Sequence, residues 1–236
     1  MRKSFLLLIL MFGINSCFFN QTENTFYTIN VLGTDLYEKP FFNSKILKKI
    51  KIGEKINSVE ILKAEQSKNI DKELSLLGNF IKIQNESYSG FIFSSDLSKI
   101  KPSLLDAYEG IMVPTILGKE NNKRTIKRIQ KYGNKEFEIE DEITEYENGT
   151  YTYTAFDGCF HHVYEFKNMS FNEVYHQLTG RHVIISTTME GNYIEIPKFI
   201  EKKGNEYLFE VDGATNDLKI IENKNGTYTI SSDDCT

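Results

Sequence analysis

The chain has 236 residues, which is enough for one large domain or two small ones. Its formal charge of −5 and the lack of a basic stripe argue against a nucleic-acid-binding protein. After the amino terminus, no apolar run approaches the roughly 20 residues of a transmembrane helix, so we expect a water-soluble body.

The amino terminus has the order of segments found in a secretory signal peptide. Arg2 and Lys3 precede an apolar run at residues 5–12, and a short polar exit follows at residues 13–17. The apolar run is too short to span a bilayer. The sequence therefore predicts an exported protein.

The exit segment Ile14-Asn15-Ser16-Cys17 resembles a bacterial lipobox. The resemblance implies removal of residues 1–16 and lipidation of Cys17, which would anchor the protein to a membrane of the cell envelope, on its periplasmic face or at the cell surface. Residues 17–25 would then form a lipid-anchored tether. The alternative is an ordinary signal peptide that leaves Cys17 unmodified.

Residues 26–98 contain short β segments separated by turn signals, a pattern that predicts a small barrel. The phrases at residues 36–47 and 50–56, and the closing pair at 78–83 and 89–97, resemble bacterial SH3 domains in their order and spacing. The resemblance implies a module that binds peptidoglycan or a protein segment. The predicted strands are 26–31, 46–52, 56–62, 80–84 and 90–93.

Three aromatic residues lie in the loop at which such domains often bind: Tyr37, Phe41 and Phe42. They are weak candidates for a ligand-binding surface, and the alternative is that they pack internally. Phe80 and Phe91 are expected in the core. Residues 64–77 are predicted to form a long loop, and the alternative for residues 71–77 is a helical turn.

Residues 99–106 are predicted to be a linker because Pro102 interrupts regular structure. Residues 107–236 alternate like strands and carry hairpin signals, which predicts an antiparallel β domain, either a barrel or a sandwich. Ser170 and Glu173 form a capping-box pattern and Gly180 a C-cap, so the segment between them is a short helix or another strand. The predicted strands are 125–132, 137–146, 150–156, 160–166, 183–188, 193–200, 207–211, 218–222 and 227–231.

If Cys17 carries lipid, Cys159 and Cys235 remain, and two cysteines in an exported protein suggest a disulfide. The alternative is two free thiols. A further alternative starts from the sequence Asp157-Gly158-Cys159-Phe160, which faintly resembles the nucleophile segment of cell-wall cysteine peptidases. That family's Ser-Gly is missing here, and the next histidines come too soon in the chain.

All four histidines fall within a short segment: His161, His162, His176 and His182. Together with Cys159 they are weak metal-ligand candidates, but no established zinc spacing is present. Core or surface histidines are the favoured interpretation, and no cofactor is predicted.

Taken together, the sequence predicts an all-β, non-catalytic envelope lipoprotein. Its expected partners are a membrane, through the lipid anchor, and peptidoglycan or an envelope protein, through the SH3-like domain. The alternatives are a small-molecule carrier that uses the C-terminal β domain and the cysteine peptidase.

Overall fold

The computed structural model describes residues 24–85, 87–108, 110–188 and 191–235. The predicted signal peptide and Cys17 lie outside these residues, as does all but the end of the tether. The described chain consists of antiparallel strands with one short helix, which confirms the all-β class. No helix in these ranges is long and apolar enough to cross a bilayer.

The first half of the chain forms a seven-stranded sheet with the order β3-β2-β6-β5-β4-β1-β7. Its interior is apolar and includes Leu36, Ile50, Ile81 and Ile92, all nearly inaccessible to solvent. A 3₁₀ turn at Ser94–Asp96 joins β6 to β7. The strands are β1 Thr25–Thr28, β2 Thr34–Tyr37, β3 Ile46–Ile50, β4 Lys55–Asn69, β5 Ser75–Gln84, β6 Ser89–Phe93 and β7 Leu97–Ser98.

The predicted loop at residues 64–77 is wrong. Strands β4 and β5 continue through most of it as a long hairpin. Polar residues dominate this part of β4, so it lacks the apolar alternation that marks a strand. Leu74 and Leu76 are fully buried, but they are covered by the second half of the chain. The sequence does not show that the second half of the chain packs on these two leucines.

The predicted linker at residues 99–106 contains the start of a strand. Strand β8, Ser103–Tyr108, pairs with β9, Ile111–Thr115. Pro102 precedes β8 and Pro114 lies in a two-stranded ladder, and both positions tolerate the missing N–H of proline.

The second half forms an eight-stranded antiparallel sheet with the order β10-β11-β12-β13-β19-β18-β17-β16. Two four-stranded meanders meet where β13 pairs with β19. The edge strands β10 and β16 are not paired with each other, so the sheet is a half-barrel, which fits the predicted antiparallel β domain. The remaining elements are β10 Glu120–Tyr132, β11 Lys135–Tyr146, β12 Gly149–Phe156, β13 Cys159–Phe166, α1 Phe171–Arg181, β14 Ile184–Thr188, β15 Gly191–Glu195, β16 Lys198–Lys203, β17 Glu206–Glu210, β18 Thr215–Glu222 and β19 Tyr228–Cys235.

Helix α1 begins with the predicted capping box, in which Ser170 and Glu173 each accept a hydrogen bond from the backbone N–H of the other. The predicted C-cap at Gly180 is wrong, because the helix continues to Arg181. A Cβ atom on Gly180 would lie 2.7 Å from Cδ of Pro114. The glycine therefore serves close packing of α1 on β9.

Helix α1 connects the two halves of the protein. Val174 and Leu178 belong to a buried apolar cluster that also contains Leu74 and Leu76 from the first half. Polar contacts reinforce the packing on both sides. Ser98 Oγ donates to Glu173 Oε1 at 2.6 Å, Asn172 Nδ2 donates to the carbonyl of Leu77 at 2.7 Å, and Gln177 Oε1 accepts from the N–H of Ile116 at 2.9 Å.

Candidate functional site

The inner face of the half-barrel carries a ladder of aromatic and imidazole rings. Strand alternation directs His162 and Tyr164 of β13 inward, and the register places Tyr153 opposite His162 and Tyr151 opposite Tyr164. The rings of Tyr151 and Tyr164 stack with centroids 4.5 Å apart. The ladder thus forms a ring-lined floor at one end of the sheet.

A polar cavity of about 320 Å³ lies beyond the last turn of α1 at this end of the half-barrel. It combines imidazole rings, one guanidinium, carboxylates and a short apolar wall. Its lining residues are His162, Arg181, His182, Val183, Ile184, Val211, Asp212, Thr215 and Asp234.

His162 connects the floor of this cavity to its wall. Its Nδ1 is 2.8 Å from the hydroxyl of Tyr151, and its Nε2 is 3.3 Å from Asp234 Oδ2. Burial lowers the pKa of His162, and the carboxylate of Asp234 only partly opposes that shift. His162 is therefore a largely neutral ring held between a phenol and a carboxylate.

His182 follows the helix directly and faces the same cavity. Burial lowers its pKa to about 4, and the positive charge of Arg181 adds to the effect. The ring is consequently neutral at neutral pH. Its buried Nε2 has no hydrogen-bond partner among the described residues.

Among the described residues, four buried polar atoms without a hydrogen-bond partner lie at this end of the sheet. His182 Nε2 and Asp234 Oδ1 belong to residues that line the cavity, but both atoms are themselves shielded from solvent. Ser232 Oγ lies directly across the β13–β19 pair from His162, and the hydroxyl of Tyr164 lies on the adjoining rung. Each such atom costs about 1–3 kcal/mol when it stays unpaired, so this end of the sheet is costly to the fold.

Arg181 is the cation of the site. Its guanidinium carbon lies 4.7 Å from the ring centre of Tyr164 and 5.6 Å from that of Tyr151. Within the described ranges Arg181 forms no ion pair, whereas most basic residues on the eight-stranded sheet face a carboxylate. Arg181 thus keeps its hydrogen-bonding edge available while the aromatic faces hold its plane.

The predicted disulfide is present and borders the site. Cys159 begins β13, Cys235 ends β19, and the two residues are paired across the strands. Asp157 and Gly158 precede Cys159 with φ values of 52° and 78°, as in a hairpin turn. The segment that faintly resembles a peptidase nucleophile is therefore a β-turn followed by a bonded cysteine.

Of the four histidines that the sequence offered as metal ligands, His162 and His182 line the same cavity, whereas His161 and His176 lie elsewhere. His161 lies on the outer face, 2.6 Å from Asp233 Oδ1, and 42% of its side chain is exposed, against 15% for His162. His176 is buried in α1, 3.3 Å from Asp96 Oδ1. In the parts of the chain that the structure describes, no group of three or more metal-ligating side chains could hold an ion.

The aromatic candidates of the first half are mostly internal. Tyr37 is buried with its ring centre 5.6 Å from that of Phe80, and burial raises its pKa to about 12. Phe42 packs on Phe93 at 4.8 Å. Phe41 is 42% exposed and is the only one of the three candidates that presents a substantial surface to solvent.

Models of protein families, curated proteins and solved structures were compared with this chain, and none matches it significantly. The candidate site is therefore inferred from its geometry alone.

Sequence reasoning missed Arg181, Tyr151, Ser232 and Asp234. The alternation within residues 150–154 already placed Tyr151 and Tyr153 on one strand face. A predicted Cys159–Cys235 bridge between antiparallel strands would also have brought Asp234 near that face. The predicted last strand ended at residue 231, so the pairing of Asp234 with β13 was not foreseen. No local sequence signal indicates that the end of α1 lies over that face.

Proposed function

We propose that this protein is a non-catalytic, lipid-anchored receptor of the cell envelope that binds a small polar molecule in the cavity between His182 and Asp234. The compartment and the anchor rest on the lipobox resemblance at Cys17. The binding function rests on one observation, the convergence of Arg181, His182 and Asp234 on one open polar cavity.

The chemistry of the cavity supports binding and not catalysis. The group hydrogen-bonded to His162 is the phenol of Tyr151, and burial raises its pKa, so the hydroxyl stays protonated. The thiol of Cys159 is consumed by the disulfide. Neither group has the activation that a nucleophile needs.

The position of the cavity distinguishes this receptor from the enclosed carrier that the sequence suggested as an alternative. Val174 and Leu178 of α1 are fully buried inside the half-barrel, so the interior is occupied by the helix. The ligand site lies beyond the end of that helix and opens to solvent. Rapid exchange of the ligand, without opening of the fold, is expected.

Binding can be tested by two-dimensional NMR on the mature protein with Cys17→Ser, screened against a library of small polar metabolites. The expected result is a hit that shifts the resonances of His162, His182 and Ser232. His182→Gln should weaken that hit at least tenfold, while His161→Gln on the outer face of the same sheet should not. The absence of hits, or hits indifferent to His182→Gln, would refute the proposal.

The anchor is tested separately, by growth with a labelled fatty acid. The wild-type chain should acquire the label, and Cys17→Ala should not. Label retained in that variant would exclude lipidation at Cys17.

A second binding function is favoured by an exposed apolar strip in the first half. Phe41, Ile46 and Leu47 are each at least 42% exposed, and the last two lie on β3, an edge strand of the seven-stranded sheet. An exposed edge can take an added strand from a partner, which fits the protein-segment ligand implied by the SH3-like resemblance.

If the strip is a binding surface, the protein should co-sediment with its partner. Co-sedimentation of the Cys17→Ser protein with purified sacculi, with and without attached envelope proteins, distinguishes wall from protein binding. Ile46→Glu should abolish pelleting, whereas Ile129→Glu, on the equally exposed edge strand β10, should not. If the wild-type protein stays in the supernatant in both preparations, this second function is wrong.

A further inference from the structure

We propose that the ligand of the cavity is a small zwitterion, a free α-amino acid, whose carboxylate is bound by Arg181 and whose ammonium group is bound by Asp234. This inference rests on the proposed receptor function and adds the chemical class of the ligand.

The positive end of the site is suited to a carboxylate. Arg181 lines the cavity, has no carboxylate partner among the described residues, and has its guanidinium plane supported by the rings of Tyr164 and Tyr151. A guanidinium presents paired N–H donors that match the two oxygens of a carboxylate. The supporting rings reduce the side-chain entropy that such a contact would cost.

The negative end of the site is suited to an ammonium group. Asp234 lines the cavity, and its Oδ2 faces Nε2 of His162 at 3.3 Å. Asp212 adds a second carboxylate to the lining. An ammonium group supplies three N–H donors and a compensating charge.

The two charged ends of the site border the same cavity. The fields of Arg181 and Asp234 both act on the rings of His162 and His182, which line the same cavity. Because both rings are largely neutral, they do not disturb the balance between the two charged ends. Val183, Ile184 and Val211 form an apolar wall for the side chain of the ligand.

Ligands with other charge patterns match this lining less well. A simple anion would meet the carboxylates of Asp212 and Asp234, and a simple amine would leave the charge of Arg181 unmatched. A neutral sugar would satisfy hydroxyls but would bury both charged ends without counter-charges. An α-amino acid carries both complementary charges on one carbon atom, within a volume that the cavity of about 320 Å³ can contain.

The test is calorimetric titration of the Cys17→Ser protein with a panel of L- and D-amino acids. Each aliphatic hit is then compared with analogues that lack one charge, for leucine 4-methylpentanoate and 3-methylbutylamine. N-acetylglucosamine serves as the neutral polar probe. The expected result is at least one amino acid whose Kd is lower than that of either analogue by thirtyfold or more.

Variants locate the two charges. Arg181→Gln and Asp234→Asn should each raise the Kd of that amino acid at least tenfold, with Arg181→Lys intermediate because it keeps the charge but loses the paired donors. Asp233→Asn is the matched control on the same strand but the opposite face. Unchanged thermal melting is required of every variant compared.

Three outcomes would overturn the inference. Wild-type affinity in both Arg181→Gln and Asp234→Asn would show that the amino acid binds elsewhere. Binding of N-acetylglucosamine, but of no amino acid, with sensitivity to His182→Gln would refute the zwitterion and keep the receptor function. If no probe of this panel and no compound of the metabolite library binds, both proposals are wrong.

Discussion

Asp96 is the residue whose replacement best tests how the two halves of the protein are held together. It is 2% exposed and lies in the turn between β6 and β7. Lys68 Nζ contacts both of its oxygens at 3.1 Å, Asn30 and Ser95 donate to it at 3.2 Å, and His176 of α1 approaches at 3.3 Å. The carboxylate therefore links the first half to the helix that fills the second.

These contacts determine how much Asp96→Asn should lower the free energy of unfolding. Burial by itself would raise the pKa of Asp96, but His176 and Lys68 outweigh it and hold the pKa well below its usual value. Removing one partner of a buried ion pair costs about 3–5 kcal/mol, because the remaining charge stays buried. The Lys68 side chain is 24% exposed and can partly rehydrate, so we expect about 3 kcal/mol.

The assay is urea and thermal unfolding of the Cys17→Ser protein. A loss of about 3 kcal/mol corresponds to a fall in Tm of about 6–12 °C for a chain of this size. The matched control is Glu142→Gln, which removes one exposed ion pair with Lys123 and should cost less than about 1 kcal/mol. Equal destabilisation by the two substitutions would refute the reasoning, as would an Asp96→Asn protein as stable as the wild type.

Three further perturbations have defined outcomes. Because burial lowers the pKa of His182 to about 4, against about 6.5 when unfolded, the unfolded chain binds the extra proton between these values. Stability should therefore be complete above about pH 6.5 and fall by up to about 3 kcal/mol towards pH 4, and the urea midpoints of His182→Gln should show a smaller fall than those of the wild type. Gly180→Ala should cost about 1–3 kcal/mol through the clash with Pro114, and an unchanged urea midpoint would show that α1 does not pack on β9 as described. Reducing the Cys159–Cys235 bridge, 76 residues apart, should cost about 4 kcal/mol, and identical unfolding curves with and without reductant would contradict this.

Local features were predictable wherever neighbouring residues supply the cause. The capping box of Ser170 and Glu173 fixes the start of α1 by hydrogen bonds within one turn. Asp157 and Gly158 form a hairpin turn because both adopt positive φ. The disulfide and the all-β class followed from the cysteine count and the strand alternation, which require no knowledge of the packing.

The wrong or incomplete predictions fall where distant residues supply the cause. Leu74 and Leu76 are buried by residues that lie far away in the chain, so residues 64–77 were mistaken for a loop. Pro102 was interpreted as the mark of a linker, but β8 begins beside it and is stabilised by pairing with β9. Gly180 was interpreted as a helix end, but its purpose is close contact with Pro114.

The sequence by itself determined the strand-rich class, the capping box, the cysteine pair and the strand face that Tyr151 and Tyr153 share. These follow from chain spacing, from capping and from the two-residue period of a strand. Only the tertiary structure decided that Arg181 and His182 lie over that face beside Asp234. The physical reason is that the position of α1 in the half-barrel is set by its burial against both halves, which no local pattern of residues encodes.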